Sequence, residues 1–290
     1  MLAASMVIGL GDTVFVQDAG RRIAVFDPNG APVREVVTAF GVTGGMAGSH
    51  SRFDAMSTGE LLLGANVATK DLSGVPLYFT DSRGGLQKAF GTPNLGTMGS
   101  ATFRVITRAA VDGRFWVVER SNYRLEEVDA RSGSILRVVG VHAPWITRPL
   151  LMSEVEARAF EKTVPVKYGR VDPRNKPTHL EFAPAPALET MQLDSQNRLW
   201  VQWRIAAAGW DTVTLKYPEP EEFRLSKELD DLLYASVVDV IDLTTNTLVM
   251  RHRMPFYAQL AGPEFVAHSY YDDVGRPRAE VWRVRPKSPE

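Results

Sequence analysis

The chain has 290 residues, of which 44% are hydrophobic and 23% charged, with a formal net charge of -1 and no cysteine. These values are typical of a globular protein and exclude disordered, collagen-like and membrane-embedded classes. A near-neutral chain without a basic cluster is a poor partner for nucleic acid, and a chain without cysteine has neither disulfides nor thiolate metal sites. No stretch approaches the roughly 18 consecutive apolar residues of a membrane helix, so no membrane span is predicted.

The first ten residues lack the positively charged segment that begins a secretory signal peptide, so no signal is predicted within this chain. A cysteine-free chain suits a reducing and an oxidising compartment equally well. The compartment is therefore left open, since export would need a segment upstream of Met1.

The first predicted elements are three short strands, over residues 13–18, 22–26 and 32–37. In the second of them, Ile23 and Val25 alternate with Ala24, which is the period-two pattern of a strand with one face in a core. The run Asp27-Pro28-Asn29-Gly30 joins the second strand to the third and has the composition of a tight turn.

The same order of turn, strand, turn and strand recurs along the chain. The turn aspartates Asp27, Asp81 and Asp129 follow one another at intervals of 54 and 48 residues. We interpret the blade aspartates as turn residues whose carboxylates accept hydrogen bonds from nearby backbone amides. These aspartates are Asp18, Asp27, Asp81, Asp129 and Asp242. The five copies of the repeat cover residues 11–37, 58–90, 111–139, 193–247 (with an interruption) and 262–284.

A period near 50 residues is typical of a propeller blade, in which a four-stranded meander buries its faces against neighbouring blades. The sequence therefore predicts an all-β protein, a β-propeller of four-stranded blades with short helical insertions, as one domain over residues 1–290. A β-sandwich of hairpins is the alternative, but it does not explain one motif order at a constant period. Trp116, Trp200 and Trp282 follow apolar strand positions and are predicted to pack between blades.

The first and third copies resemble NHL-type and related six-bladed propellers of bacteria. The resemblance is carried by residues 12–18, 22–30, 112–119 and 197–201. It implies a propeller fold and is nearly silent on function, because propellers include enzymes, binders and scaffolds. The resemblance implies six blades where five copies are visible. We expect the sixth upstream of Met1; a degenerate copy within residues 141–186 and a five-bladed ring are the alternatives.

Two insertions interrupt the repeat pattern, at residues 141–186 and 204–236. A capping-box spacing at Ser153 and Glu156 predicts a short helix in the first, and residues 226–233 predict one in the second. Long connections on a rigid scaffold are where binding residues concentrate, although plain surface decoration is an alternative for either segment.

No catalytic or cofactor signature is present. The five histidines share no metal-ligand spacing, the acidic pairs lack a calcium-loop pattern, and the glycine-rich residues 41–49 lack the lysine of a phosphate loop. No Gly-x-Ser-x-Gly elbow occurs. His252 is expected to lie on a solvated face and His268 to be structural.

We therefore expect a propeller that binds a protein, a peptide or a small molecule without catalysis and without a cofactor. The candidate contact residues are Trp145, Arg148 and His179, all in the first insertion. The alternative is a metal-dependent hydrolase, lactonase or lyase with its site in the central channel. Only this alternative involves a divalent metal, for which Asp18, Glu119 and His179 are the candidate ligands.

Overall fold

The computed structural model describes residues 3–8, 13–18, 22–37, 52–56, 59–64, 77–90, 113–119, 123–146, 178–179, 186–212, 214–215 and 231–286. The chain divides into two compact units, residues 1–142 and 143–290. The extent of a single domain over residues 1–290 stays a prediction.

The first unit is built from antiparallel meanders, in which strands that follow one another in the chain lie side by side. The first sheet has the order β1-β2-β3-β4 and the second the order β5-β6-β7-β8, while the described part of the third pairs β9 with β10 and β10 with β11. These strands are β1 (Ala3–Ile8), β2 (Val14–Asp18), β3 (Arg22–Phe26), β4 (Pro32–Val37), β5 (Arg52–Ala55), β6 (Leu61–Gly64), β7 (Leu77–Thr80), β8 (Leu86–Phe90), β9 (Arg114–Glu119), β10 (Arg124–Asp129) and β11 (Ile135–Gly140).

The second unit repeats the plan, with a four-stranded sheet β13-β14-β16-β17 and a sheet β18-β19-β20. A separate pair joins β12 to β15, and a 3-10 helix covers Trp210–Thr212. These strands are β12 (Thr178–His179), β13 (Ala187–Leu193), β14 (Arg198–Ala206), β15 (Thr214–Leu215), β16 (Tyr234–Asp242), β17 (Thr247–Met254), β18 (Gln259–Gly262), β19 (Phe265–Tyr271) and β20 (Pro277–Arg283).

The predicted strand pattern is confirmed in both units. On β3, Ile23 and Val25 are buried whereas Ala24 is half-buried, as their alternation predicted. The two central strands of the fourth sheet, β14 and β16, are buried along nearly their whole length, because both of their faces are covered. This explains their almost continuous apolar sequence, which differs from the alternation of β3.

The turn aspartates act as the sequence predicted. The Oδ1 atom of Asp81 accepts hydrogen bonds from the amides of Gly85 and Arg83, both at 2.8 Å, and these bonds hold the pKa of the Asp81 carboxyl below its usual value. The same two-amide pattern occurs at every other described turn aspartate. These are Asp27, Asp129, Asp194, Asp242 and Asp272; for Asp18 the carboxylate lies outside the described residues.

At one position in these turns, only glycine fits. Gly84 has a φ of +87°, and a Cβ added to it would lie 2.5 Å from the carbonyl oxygen of Val37 in the preceding sheet. The turn of one sheet therefore touches the outer strand of the sheet before it. Arg34, on the same outer strand, also donates to the carbonyl oxygen of Ser82 at 2.7 Å.

Neighbouring sheets pack face to face within each unit. In the first unit, one apolar cluster combines residues of the second and third sheets: Met56, Leu62, Phe79, Phe115, Val128 and Ala130. In the second unit, Trp200 and Val238 of the fourth sheet pack with Leu260, Val266 and Trp282 of the fifth. The first strands also neighbour each other, β1 with β5 and β13 with β18. Sequential meanders stacked with their first strands adjacent are the arrangement of propeller blades.

Two details of the sequence interpretation change. Strand β14 ends at Ala206 and strand β16 begins at Tyr234. The second insertion is therefore shorter than residues 204–236. Of the helix predicted over residues 226–233, residues 231–233 are helical and the others lie outside the described residues, as does the helix predicted after Ser153. Among the described residues, no helix is long and apolar enough to cross a membrane.

Candidate functional site

Both insertions leave the fourth sheet at the same end. Ala187, where β13 begins, pairs with Arg204 near the end of β14, and Ala206 pairs with Tyr234 at the start of β16. The connection that leads into β13 and the connection from β14 to β16 are therefore neighbours in space. We call this end of the sheet the insertion end.

The two insertions also pair with each other. Thr178 of the first insertion lies opposite Leu215 of the second, and His179 lies opposite Thr214, in the antiparallel pair β12·β15. Residues far apart in sequence are thereby joined, so the two insertions are paired with each other at these four residues.

A charged and aromatic cluster occupies the insertion end. The Arg204 guanidinium lies 3.1 Å from a carboxylate oxygen of Glu189 and 4.4 Å from the ring centroid of Tyr234. The ring of Tyr257, 6.4 Å from that of Tyr234, lies on the same guanidinium at 5.8 Å, and its hydroxyl donates to Glu189 at 3.4 Å. Each of the four side chains in this cluster comes from a different segment: β13, β14, β16 and the residues before β18. Their ion pair and ring contacts fix the arginine in place.

Asp231 ties the end of the second insertion to the fifth sheet. One of its carboxylate oxygens accepts from the backbone amide of Tyr257 at 3.1 Å, and the other lies 2.8 Å from Nε2 of His268 on β19. The histidine side chain is 14% exposed and the aspartate side chain 29%. Because both carboxylate oxygens are engaged, Asp231 holds the return of the insertion against its neighbouring sheet.

An aromatic row continues from this contact along the fifth sheet. The His268 ring stacks on Phe256 at 4.7 Å and on Tyr270 at 5.5 Å, and Trp282 lies 6.1 Å away. The Tyr270 hydroxyl donates to Glu280 at 2.9 Å, and this bond raises the pKa of Tyr270. The row is partly exposed, so it offers aromatic surface beside the cluster around Arg204.

The three predicted contact residues fall in different places. Trp145 is half-buried, and its ring is covered by the guanidinium of Arg251 on β17 at 4.4 Å. The backbone of His179 lies in β12, whereas its side chain and the whole of Arg148 lie outside the described residues. A role in binding stays a prediction for all three.

The candidate metal ligands are placed only by their backbones. Asp18 ends β2 opposite Ala3, and Glu119 ends β9 opposite Arg124. Among the residues that the structure describes, no three histidine, aspartate or glutamate side chains are close enough together to hold a metal ion. His252 is exposed, as expected, and His268 is held by contacts within the fold.

The cluster at the insertion end was not recognised in the sequence. Its members come from four segments, and their contacts depend on the register of β13, β14 and β16. One feature of the sequence could have indicated it. Asp231 lies just before a long apolar segment, and Tyr234 begins it, at the point where an insertion returns to the sheet.

Comparison with known proteins adds remote structural likenesses. No protein-family model and no curated protein sequence matches the chain. The WD40 β-propeller domain of Doa1 has 11% identity and a TM-score of 0.40, with 91% of this chain and 59% of that chain covered. BamB from Moraxella catarrhalis has 11% identity and a TM-score of 0.37, with 96% and 76% covered. A putative exported protein from Bacteroides fragilis has 9% identity and a TM-score of 0.44, with 93% and 66% covered.

Because these identities and TM-scores are low, the fold assignment rests on the chain's own sheets. Antiparallel meanders of three or four described strands that recur at blade spacing and stack face to face within each unit define an all-β protein of the β-propeller class.

Proposed function

We propose that this chain is a non-enzymatic binding scaffold whose contact surface for a protein or peptide is the insertion end of the second unit. The observation that supports it is the pairing of the two insertions beside the cluster of Glu189, Arg204, Tyr234 and Tyr257. The NHL-like, six-bladed assignment belongs to the same proposal and is supported by the repeat residues 12–18 and 22–30.

The composition of the cluster favours a protein partner. Tyrosine, tryptophan and arginine are the residues that contribute most to binding at protein interfaces, and charges that are already paired bind without leaving an isolated buried charge. Side chains that are held by their neighbours before binding also lose little conformational entropy on association. Trp145, Arg148 and His179 remain the candidate contacts contributed by the first insertion.

A photo-crosslinking amino acid at two exposed positions locates the surface. Leu232, at the return of the second insertion, is 56% exposed, and Val281 on β20 is 61% exposed. In extract of the protein's own cells, we expect a discrete adduct from position 232 and none from position 281. Equal adducts at both positions, or none at 232, contradict the proposal.

The variants Arg204→Ala and Tyr257→Ala are expected to weaken binding of the crosslinked partner by about tenfold or more each, because interface hot spots are worth about 2 kcal/mol. The dissociation constant is measured by calorimetry with the identified partner. Arg22→Ala is the matched control, since Arg22 also pairs with a glutamate, Glu35, at 3.7 Å on another sheet. An unchanged dissociation constant in Arg204→Ala would show that the insertion end is not the contact surface.

A further inference from the structure

Two buried oxygen atoms on β13 have no hydrogen-bond partner among the residues that the structure describes. They are the hydroxyl oxygen of Thr190 and the amide oxygen of Gln192, and Thr190 is only 7% exposed. Residues two apart in a strand face the same side of the sheet. Their partners on β14, Gln202 and Trp200, confirm that both oxygens lie on the face toward the fifth sheet.

The neighbouring polar groups on this face are fully used. Gln202 accepts from the amide of Leu260 at 2.5 Å and donates to the carbonyl oxygen of Ala258. Ser236 bonds the amide and the carbonyl oxygen of Ala258, at 2.9 and 3.0 Å. These two side chains attach β18 to the fourth sheet, so the polar character of the face is structural at Gln202 and Ser236 but unexplained at Thr190 and Gln192.

A buried polar atom without a partner destabilises a fold, so such atoms normally form a hydrogen bond with a protein group, a water molecule or a ligand. β13 is the first strand of its sheet, and no strand pairs with its other edge among the described residues. We propose that Thr190 and Gln192 form an internal site for neutral hydroxyl groups, supplied by ordered water or by a small polyol. This proposal is independent of the contact surface at the insertion end.

The chemistry of the two oxygens selects that ligand class. An amide oxygen accepts but does not donate, so an anion is disfavoured, whereas each oxygen can accept the proton of a separate hydroxyl group. A cation would be buried against two neutral oxygen atoms, which is unfavourable, and an apolar ligand would leave both oxygens unsatisfied.

The sign of a stability change tests the site. Thr190→Val keeps the shape of the side chain and removes its hydroxyl, and Gln192→Met keeps the length and removes the amide. If bound hydroxyl groups satisfy the oxygens, each variant should melt about 2–4 °C below the wild type. If the oxygens are orphaned, removing them raises the melting temperature, and this result overturns the proposal.

Thr80→Val is the matched control, because Thr80 is also buried and donates within the protein, to the carbonyl oxygen of Asp81 at 3.1 Å. It should melt below the wild type. Glycerol and glucose, each added to wild type and Thr190→Val, separate the two sources of hydroxyl. If the additive raises the melting temperature of the wild type more than that of Thr190→Val, the site binds a polyol. If it raises both melting temperatures equally, the site binds water. A high-resolution crystal structure with no density within hydrogen-bond distance of either oxygen would also overturn the site.

Discussion

Arg251→Met is expected to lower the free energy of unfolding by about 3–5 kcal/mol, because it leaves the Asp239 carboxylate buried without its charged partner. Asp239 is completely buried in β16, and its two oxygens each accept from Arg251 at 2.8 Å. The arginine also covers the ring of Trp145, so the variant removes that contact as well. Urea denaturation followed by circular dichroism measures the change.

Arg253→Met is the control for this experiment. Arg253 lies two residues along the same strand and is exposed, so its replacement should change stability by no more than about 0.5 kcal/mol. The double variant Asp239→Leu/Arg251→Met should recover most of the loss, because it removes both charges together. If Arg251→Met is no less stable than Arg253→Met, the ion pair does not form as described.

Asp194→Ala is expected to lower the free energy of unfolding by about 2–4 kcal/mol, the second largest effect. Its carboxylate, 7% exposed, accepts from the backbone amides of Gln196 and Arg198, from the Arg198 guanidinium at 2.7 Å and from the indole nitrogen of Trp200 at 2.8 Å. Burial raises the pKa of Asp194, but the bonds from Trp200 and Arg198 outweigh it and the net pKa is lowered. Removing the carboxylate leaves a fully buried tryptophan with an unsatisfied N–H group.

The matched control is Asp27→Ala. Asp27 accepts from the amides of Asn29 and Ala31 in the same turn geometry, at 2.9 and 2.8 Å, but no tryptophan of the described residues donates to it. Its replacement should therefore lower the urea midpoint by much less. Equal losses in the two variants would mean that the turn alone, and not the bond to Trp200, accounts for the effect.

The sequence predicted the elements whose causes are local. Alternation marked β3, and the spacing of aspartate and glycine marked the turns, because an aspartate bonds amides only two to four residues away. The first strand of each sheet was largely missed. Strand β5 is short and strand β13 contains a bulge, and the place of each in its sheet depends on pairing with the next strand.

The site was less predictable than the fold. The long connections predicted two insertions, but the contacts at the insertion end join residues separated by 15 to 68 positions. Such contacts depend on register and on the stacking of two sheets, which a single sequence does not reveal. Asp239 shows the same limit, since an aspartate inside a strand does not reveal whether an arginine of the next strand lies opposite it.

The pairing of β12 with β15 joins the two insertions, and a designed disulfide tests this pairing. The chain has no cysteine, so Thr178→Cys/Leu215→Cys introduces a single possible pair at positions that lie directly opposite in β12·β15. We expect this variant to oxidise completely to an intramolecular disulfide, whereas His179→Cys/Leu215→Cys, offset by one residue, should not. Equal oxidation of the two variants, or none in either, would contradict the pairing of the insertions.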